Sequence, residues 1–295
     1  MPKAFRGDLK LLGTSETEVG SKDLYLDLLK RCLIADIYDE SGWRIVNVNR
    51  SKWGLIQYLK NFIIDGLARR GYLIVRTNQF NAELRNEGID WPCFGYSMTG
   101  LQRMNNIEEC MRTVLAENVP GDFIETGVWR GGSTIFMRAV LERFDVKDRT
   151  VWVADSFEGL PKPLVAQDRD KPQYDLSECN YLKVSLEQVR ANFDRFGLLD
   201  DQVKFLKGWF KDTLPIAPIE QLAVLRLDGD LYESTMDALT SLFHKVSPGG
   251  FVIVDDYWSW PNCRAAVDDF RAQHKLKGEI VSIDKSSVYW RVPIE

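Results

Sequence analysis

Histidine is almost missing from this chain. Only His244 and His274 occur, each within an amphipathic helical stretch, so both read as surface or packing residues rather than metal ligands or bases. The five cysteines, Cys32, Cys93, Cys110, Cys179 and Cys263, are scattered, odd in number and without metal-type spacing. They read as reduced thiols of a cytoplasmic protein. No block of lysine and arginine is present. The 38 basic residues are outnumbered by 43 acidic ones, for a net charge of -5, so nothing argues for nucleic acid or an anionic membrane surface as a partner. No segment approaches the roughly 20 apolar residues that a bilayer span needs, and Met1–Gly13 lacks the uninterrupted apolar stretch of an export signal. Internal repeats and low-complexity tracts are also absent.

What is present is 295 residues, 45% of them hydrophobic, enough for one large domain or one domain with a substantial appendage. Asp23–Tyr38 and Trp53–Arg70 carry leucine and isoleucine at mostly helical spacing, and Leu101–Ala116 is amphipathic. Residues 1–115 are therefore expected to form a helical, loop-rich cap, and residues 116–295 the core. From Gly121 the rhythm becomes strand, turn, helix. Asp122–Gly127, Thr150–Ala154, Val203–Lys207, Leu222–Leu227 and Phe251–Val254 are the strand candidates, and Glu279–Asp284 with Ser287–Val292 reads as a closing hairpin. This alternation predicts an α/β fold, a doubly wound parallel sheet with an antiparallel edge. Glu158–Tyr181 is too long for a simple βα connection and reads as a lid inserted at about 158–181.

Two acidic clusters each follow an apolar run: Leu222 to Leu227 leads into Asp228-Gly229-Asp230, and Phe251 to Val254 leads into Asp255-Asp256. In open α/β sheets ligands bind outside the carboxyl ends of the strands, so both clusters should face one crevice. Carboxylates crowded there repel unless something positive sits among them, and a hard cation with oxygen ligands is the natural candidate. Asp228, Asp255 and Asp256 are thus read as a Mg²⁺ site. Helix caps and turns are the other use of aspartate at strand ends.

The turn after the first core strand reads Glu125-Thr126-Gly127-Val128-Trp129-Arg130-Gly131-Gly132-Ser133. Its glycines allow close backbone approach to a small molecule. A P-loop would need lysine where Ser133 stands, and no G-x-G-x-x-G is present. Glu125 suits an ammonium group better than a phosphate. Asp155, at the end of the second strand, can accept from both ribose hydroxyls. Together these features suggest S-adenosylmethionine, although glycine turns and strand-end aspartates are common taken singly.

Several stretches resemble one family over nearly the whole chain after Gly20. They are Glu-Thr-Gly-Val-Trp-Arg-Gly-Gly at 125–132, Ala-Asp-Ser-Phe-Glu-Gly-Leu-Pro at 154–161, Lys-Gly-Trp-Phe at 207–210, Leu-Asp-Gly-Asp-Leu-Tyr-Glu-Ser-Thr at 227–235 and Val-Asp-Asp-Tyr at 254–257. Asp23 to Leu29 and Asp90-Trp91-Pro92 extend the match. These resemble the macrocin O-methyltransferase (TylF) family, whose members methylate sugars of mycinamicin and novobiocin. The resemblance implies a class I methyltransferase (Rossmann-like) fold, S-adenosylmethionine as donor, Mg²⁺ as cofactor and a small-molecule glycoside hydroxyl as acceptor, in a homo-oligomer. It further implies Asp230 as general base, the other reading of that residue being a cap for the helix at Ser234. Expected cofactor contacts are Glu125, Thr126, Gly127, Gly131, Ser133, Asp155, Ser156, Gly208 and Trp209, with Met98 and Thr99 from the Tyr96–Gly100 segment folded over the cofactor. Trp129, Trp209 and Tyr232 are candidates for facing the sulfonium, or for core packing.

A sugar hydroxyl must be activated, because its pKa lies far above 7; a divalent cation and a nearby carboxylate would serve. Catechol-type methyltransferases place a lysine three residues after the first metal aspartate. Here that residue is Leu231, which disfavours a phenol-directed reaction. A non-catalytic cofactor-binding protein is the remaining alternative, disfavoured by the intact set Asp228, Asp230, Asp255 and Asp256.

Overall fold

The computed structural model describes residues 21–38, 42–45, 55–72, 74–78, 80–170 and 174–294. Met1–Gly20, for which no resemblance was found, lies outside them. In chain order the amino-terminal part holds α1 (Ser21–Leu33), β1 (Gly42–Ile45), α2 (Leu55–Ala68), β2 (Val75–Asn78), α3 (Ala82–Asn86) and α4 (Leu101–Ala116). The helices match the expected periodicity. The antiparallel pairing of β1 with β2 was not anticipated, since four-residue strands separated by a helix carry no turn signal. Leu26, Leu29 and Leu33 of α1 and Met104, Ile107 and Met111 of α4 join the main hydrophobic core.

The remainder alternates β3 (Asp122–Thr126), α5 (Gly132–Arg143), β4 (Val151–Asp155), α6 (Ala166–Arg169), α7 (Leu186–Arg195), β5 (Val203–Lys207), α8 (Phe210–Thr213), β6 (Leu222–Leu227), α9 (Tyr232–Leu242), β7 (Val246–Val254), α10 (Pro261–Gln273), β8 (Val281–Ser282) and β9 (Val288–Arg291). The sheet order is β5-β4-β3-β6-β7-β9-β8. The first five strands run parallel, and β9 joins antiparallel, as the edge hairpin required. This is the α/β, Rossmann-like architecture that the resemblance implies. Side chains alternate across it: Phe123, Val224 and Ile253 face the α1, α4 and α5 side, while Ile124, Leu225 and Val252 face α9 and α10.

Two boundaries moved. β7 begins at Val246 rather than Phe251, because Pro248-Gly249-Gly250 is absorbed as an irregularity, with Gly249 at φ +83°, and not spent as a loop. β8 is cut short because Asp284 turns inward and accepts from the backbone N–H of Ser286 and Ser287. Among the described residues no helix is long and apolar enough to cross a membrane.

Connections on either side of β3 diverge, toward β4 in one direction and β6 in the other. The carboxyl ends of β3 and β6 therefore border the crevice where such sheets bind ligands.

Candidate active site

β3 delivers Glu125 and Thr126 to this crevice, and the chain then turns through Gly127 at φ +90°. A Cβ at that position would sit 1.8 Å from the carbonyl oxygen of Asp228, so only glycine lets the turn pack on the acidic strand end. At Gly132 a Cβ would come within 2.5 Å of the Tyr96 carbonyl. That close approach, sealed by the Gly132 N–H donating to Tyr96 O, lays the segment 96–100 over the turn. Thr99 there lies with its hydroxyl 3.3 Å from that of Ser133.

Asp155 braces the same turn from β4. One carboxylate oxygen accepts from the backbone N–H of Val128 at 2.7 Å and of Trp129 at 3.4 Å, and the other from Phe157 N–H at 2.7 Å. Burial holds this carboxyl above its ordinary range even against those donors. The Ser156 hydroxyl adds a long contact to Oδ1 at 3.4 Å, and Asp155 lines a cavity at the site.

The acidic strand ends do converge. Oxygens of Asp228, Asp255 and Asp256 lie within 4.8 Å of one another. Unforeseen, however, is that the protein supplies two cations of its own. Arg226, wholly buried in β6, donates to Glu125 at 2.6 Å, Asp228 at 2.8 Å, Thr99 Oγ1 at 3.1 Å and Asp255. Arg103 of α4 donates to the other oxygen of Asp255 at 2.6 Å and to Asp284 at 2.7 Å. Burial works against charge on both arginines, but the surrounding carboxylates outweigh it and keep them protonated.

The arginines do not reach every carboxylate. Burial alone would raise Asp255, but Arg103 and Arg226 hold it below the ordinary range. Asp228, half-buried at the strand end, rises to about 6 through desolvation and the charge of Asp255, despite Arg226. Asp230 rises to about 8 through burial and the charges of Asp228 and Asp255. Asp256 is raised by burial and then by Asp230, Asp255 and Asp228, and its Oδ2 is buried without a hydrogen-bond partner. Glu125 is likewise pushed up to about 8 by burial, and its Oε2 has no hydrogen-bond partner. What remains on the Asp230–Asp256 side, where no arginine donates, is carboxyl groups that ionise only at a cost unless a positive group joins them.

Asp230 is not a helix cap. The cap position of α9 is Leu231, whose side chain accepts nothing, and Asp230 stands in the left-handed region at φ +57°. That conformation is uncommon for a non-glycine residue and turns up at functional sites.

Two cavities meet at these residues. One, of about 330 Å³, is lined by Gly127, Asp155, Ser156, Trp209 and the insertion residues 159–162. The other, of about 480 Å³, is lined by Glu125, Thr99, Ser133, Asp255, Asp256 and, further out, Trp91 and Trp260. Met98, Trp129, Asp228 and Asp230 border both. Thr126, Gly131 and Gly208 line neither. Tyr232 is a correction: its hydroxyl donates to Asp269 at 3.0 Å, away from both cavities, because α9 starts there and turns the ring outward.

Removing the positive centre has a predictable cost. Arg226→Leu leaves Glu125 buried without its cation and Asp255 with Arg103 alone, which costs about 3 to 5 kcal/mol for a broken buried ion pair. Urea unfolding should show that loss as a lowered midpoint, and an unchanged midpoint would mean the network contributes nothing to stability.

The macrocin-O-methyltransferase (TylF) family model matches residues 22–292 of this chain. The chain is 50% identical over 240 residues to demethyldecarbamoylnovobiocin O-methyltransferase of Streptomyces niveus, covering 80% of this chain and 91% of that protein. It is 48% identical over 272 residues to 8-demethyl-8-(2,3-dimethoxy-alpha-L-rhamnosyl)-tetracenomycin-C 4'-O-methyltransferase of Streptomyces olivaceus, covering 92% and 93%. The solved structure of the O-methyltransferase NovP superposes with a TM-score of 0.78 at 45% identity, covering 92% of this chain and all of that one. With its sheet, its strand-end acids and its sequence all in agreement, the chain belongs to the macrocin-O-methyltransferase (TylF) family and is an O-methyltransferase.

Proposed function

We propose that this protein transfers a methyl group from S-adenosylmethionine to a sugar hydroxyl of a small-molecule glycoside in antibiotic biosynthesis, with a Mg²⁺-type cation and with Asp230 as base. The observation that carries this reading is the meeting of two cavities at Asp228 and Asp230, one cavity fitted for a nucleoside and the other for an acceptor. The named activities of the relatives support it, one of them acting on a rhamnosyl group. Leu231 is buried and apolar, so the lysine a phenol-directed enzyme would use has no counterpart.

The donor's parts find matching groups. Asp155 and Ser156 suit a ribose, and Trp209 suits the adenine end. The unpartnered Oε2 of Glu125, on the wall of the second cavity, suits the donor's ammonium group, so the donor's amino-acid end reaches past the border residues into that cavity. Trp129, on the border of both cavities, offers an aromatic face to a cationic sulfonium.

The residues also fit a hard divalent cation. Asp228, Asp255 and Asp256 form an all-oxygen set, and the unpartnered Asp256 Oδ2 is an acceptor in want of a positive group. The chemistry supplied by such a cation when bound is stabilisation of negative charge on the acceptor oxygen. Arg226 and Arg103 hold the carboxylates at fixed orientation, so little reorganisation is needed when the acceptor arrives. Asp230 removes the hydroxyl proton, with a basicity that burial and its acidic neighbours raise toward the working pH.

Incubation with methyl-labelled S-adenosylmethionine, Mg²⁺ and a panel of deoxysugar glycosides should give product carrying one labelled methyl on the sugar, read by mass spectrometry. Label on an aglycone phenol, or on no glycoside of the panel, would count against this reading.

A further inference from the structure

The insertion between β4 and α7 holds one carboxylate with no place in the chemistry above. Asp168, on the short α6, is 1% exposed and lines neither cavity. Its Oδ1 accepts from the backbone N–H of Tyr232 at 2.8 Å and from the side-chain amide of Asn262 at 2.8 Å, while its Oδ2 accepts from Glu233 N–H at 3.1 Å. Tyr232 and Glu233 open α9, whose own cap residue, Leu231, has no acceptor to offer. The first-turn N–H groups of α9 therefore take their acceptor from a segment some 64 residues away. Asn262, fully buried, sits in the first turn of α10.

These two helices are the ones that follow the acidic strand ends. α9 begins directly after Asp228-Gly229-Asp230-Leu231, and α10 begins after Asp255-Asp256, with Trp260 N–H donating to the Asp256 carbonyl at 2.9 Å. Asp168 thus ties together the segments that carry the cluster. Asp230 sits in a disfavoured left-handed conformation, which persists only while its flanks are held. The insertion also walls both cavities, through Leu160, Pro161 and Leu164 on one side and Leu176 and Leu182 on the other. Its far end is fixed by Trp129 Nε1 donating to Tyr181 O at 2.9 Å and by Trp91 stacking on the Tyr181 ring at 5.1 Å.

We propose that Asp168 is a positioning residue through which the docked insertion sets the placement of Asp230 and the neighbouring carboxylates. The inference rests on the methyl-transfer reading above, because it is that reaction which depends on their placement. The insertion is then part of the catalytic geometry as well as a cover. A site with the insertion undocked has a loosened α9 start and a misplaced base.

Asp168→Ala, Asp168→Asn and Asn262→Ala separate this role from a merely structural one. Hydrogen exchange read by mass spectrometry should accelerate at the start of α9 in Asp168→Ala. In the same variant kcat should fall by about 10- to 100-fold, the scale expected for a small misplacement of reacting groups. Mn²⁺ affinity, read by electron paramagnetic resonance, should fall with it. Asp168→Asn should restore part of the protection and part of kcat, since its amide oxygen can still accept from one of the two α9 N–H groups while its NH₂ group forfeits the other. If Asp168→Ala fails to fold, Asn262→Ala is read in the same way, with a smaller loss expected because only the α10 arm is cut. Unchanged exchange at α9 in Asp168→Ala, or faster exchange with wild-type kcat and Mn²⁺ affinity, would overturn the proposal. A wild-type protein that binds Mn²⁺ yet methylates no glycoside would instead contradict the proposed acceptor, and Mn²⁺ affinity across the variants would then decide the role of Asp168.

Discussion

Asp230→Asn should lower the methyl-transfer rate by about 10² to 10⁴, the range a positioned general base contributes. The amide keeps the shape and hydrogen-bonding reach of the carboxylate, so the cavities and the left-handed turn at 229–231 should survive. What is lost is the proton acceptor. Single-turnover rates measured at saturating donor and acceptor are the direct readout, since they exclude product release. A variant turning over at the wild-type rate would mean the proton leaves by another route.

Chelation should have an effect at least as large. With excess EDTA, turnover should cease, and Asp256→Ala should match it because it removes the carboxylate whose Oδ2 no arginine or hydroxyl reaches. The pH dependence of stability gives a check independent of activity. Burial and like charge raise Asp228 to about 6 and Asp230 to about 8, both from an ordinary value of 3.8. The folded protein therefore binds more protons than the unfolded chain between those limits, and stability must fall as pH rises through that window. Below 3.8 the contribution is fully present, and above about 8 it is lost. Chelated protein should thus melt progressively lower as pH is raised from mildly acidic values to 8. Mg²⁺ should reverse the trend most at the alkaline end, because the cation binds the deprotonated carboxylates of the folded state. A melting temperature indifferent to both pH and Mg²⁺ would remove the support for a metal site.

Much of this architecture was legible because it rests on short-range signals. Buried parallel strands write themselves as brief Val, Ile and Leu runs, and the acids that follow them are adjacent in sequence, so Asp228 and Asp255-Asp256 could be brought to one crevice by topology alone. Gly127 was readable as a close approach, and the structure names what approaches, the Asp228 carbonyl. The antiparallel edge was readable as two alternating segments, though not the inward turn of Asp284 that shortens β8.

The internal cations were not legible, for a physical reason. Arg226 sits inside an apolar run and Arg103 on an amphipathic helix, and apart from Asp228, two residues from Arg226, their partners lie well off in sequence, Glu125 at 101 residues from Arg226, Asp255 at 152 and Asp284 at 181 from Arg103. One signal was available. A charged residue in the middle of an otherwise buried strand, beside a strand that itself carries a buried glutamate, demands an ion pair, and register pairs Glu125 with Arg226 across β3 and β6. The chain itself thus supplies part of the positive charge that crowded carboxylates require, and Asp230 and Asp256 are the members no arginine reaches. Asp168 was hidden for the same reason, its partners 64 and 94 residues away.

Base and metal ligand can be told apart by how their loss responds to added cation. Asp228→Asn and Asp230→Asn should be compared in a Mg²⁺ titration of the methyl-transfer rate to one glycoside. Asp228→Asn weakens a ligand, so raised Mg²⁺ should recover part of its rate, whereas Asp230→Asn should stay slow at every concentration because no amount of cation replaces a proton acceptor. Rescue of Asp230→Asn by Mg²⁺, with Asp228→Asn unresponsive, would contradict the assignment and exchange the roles of the two residues.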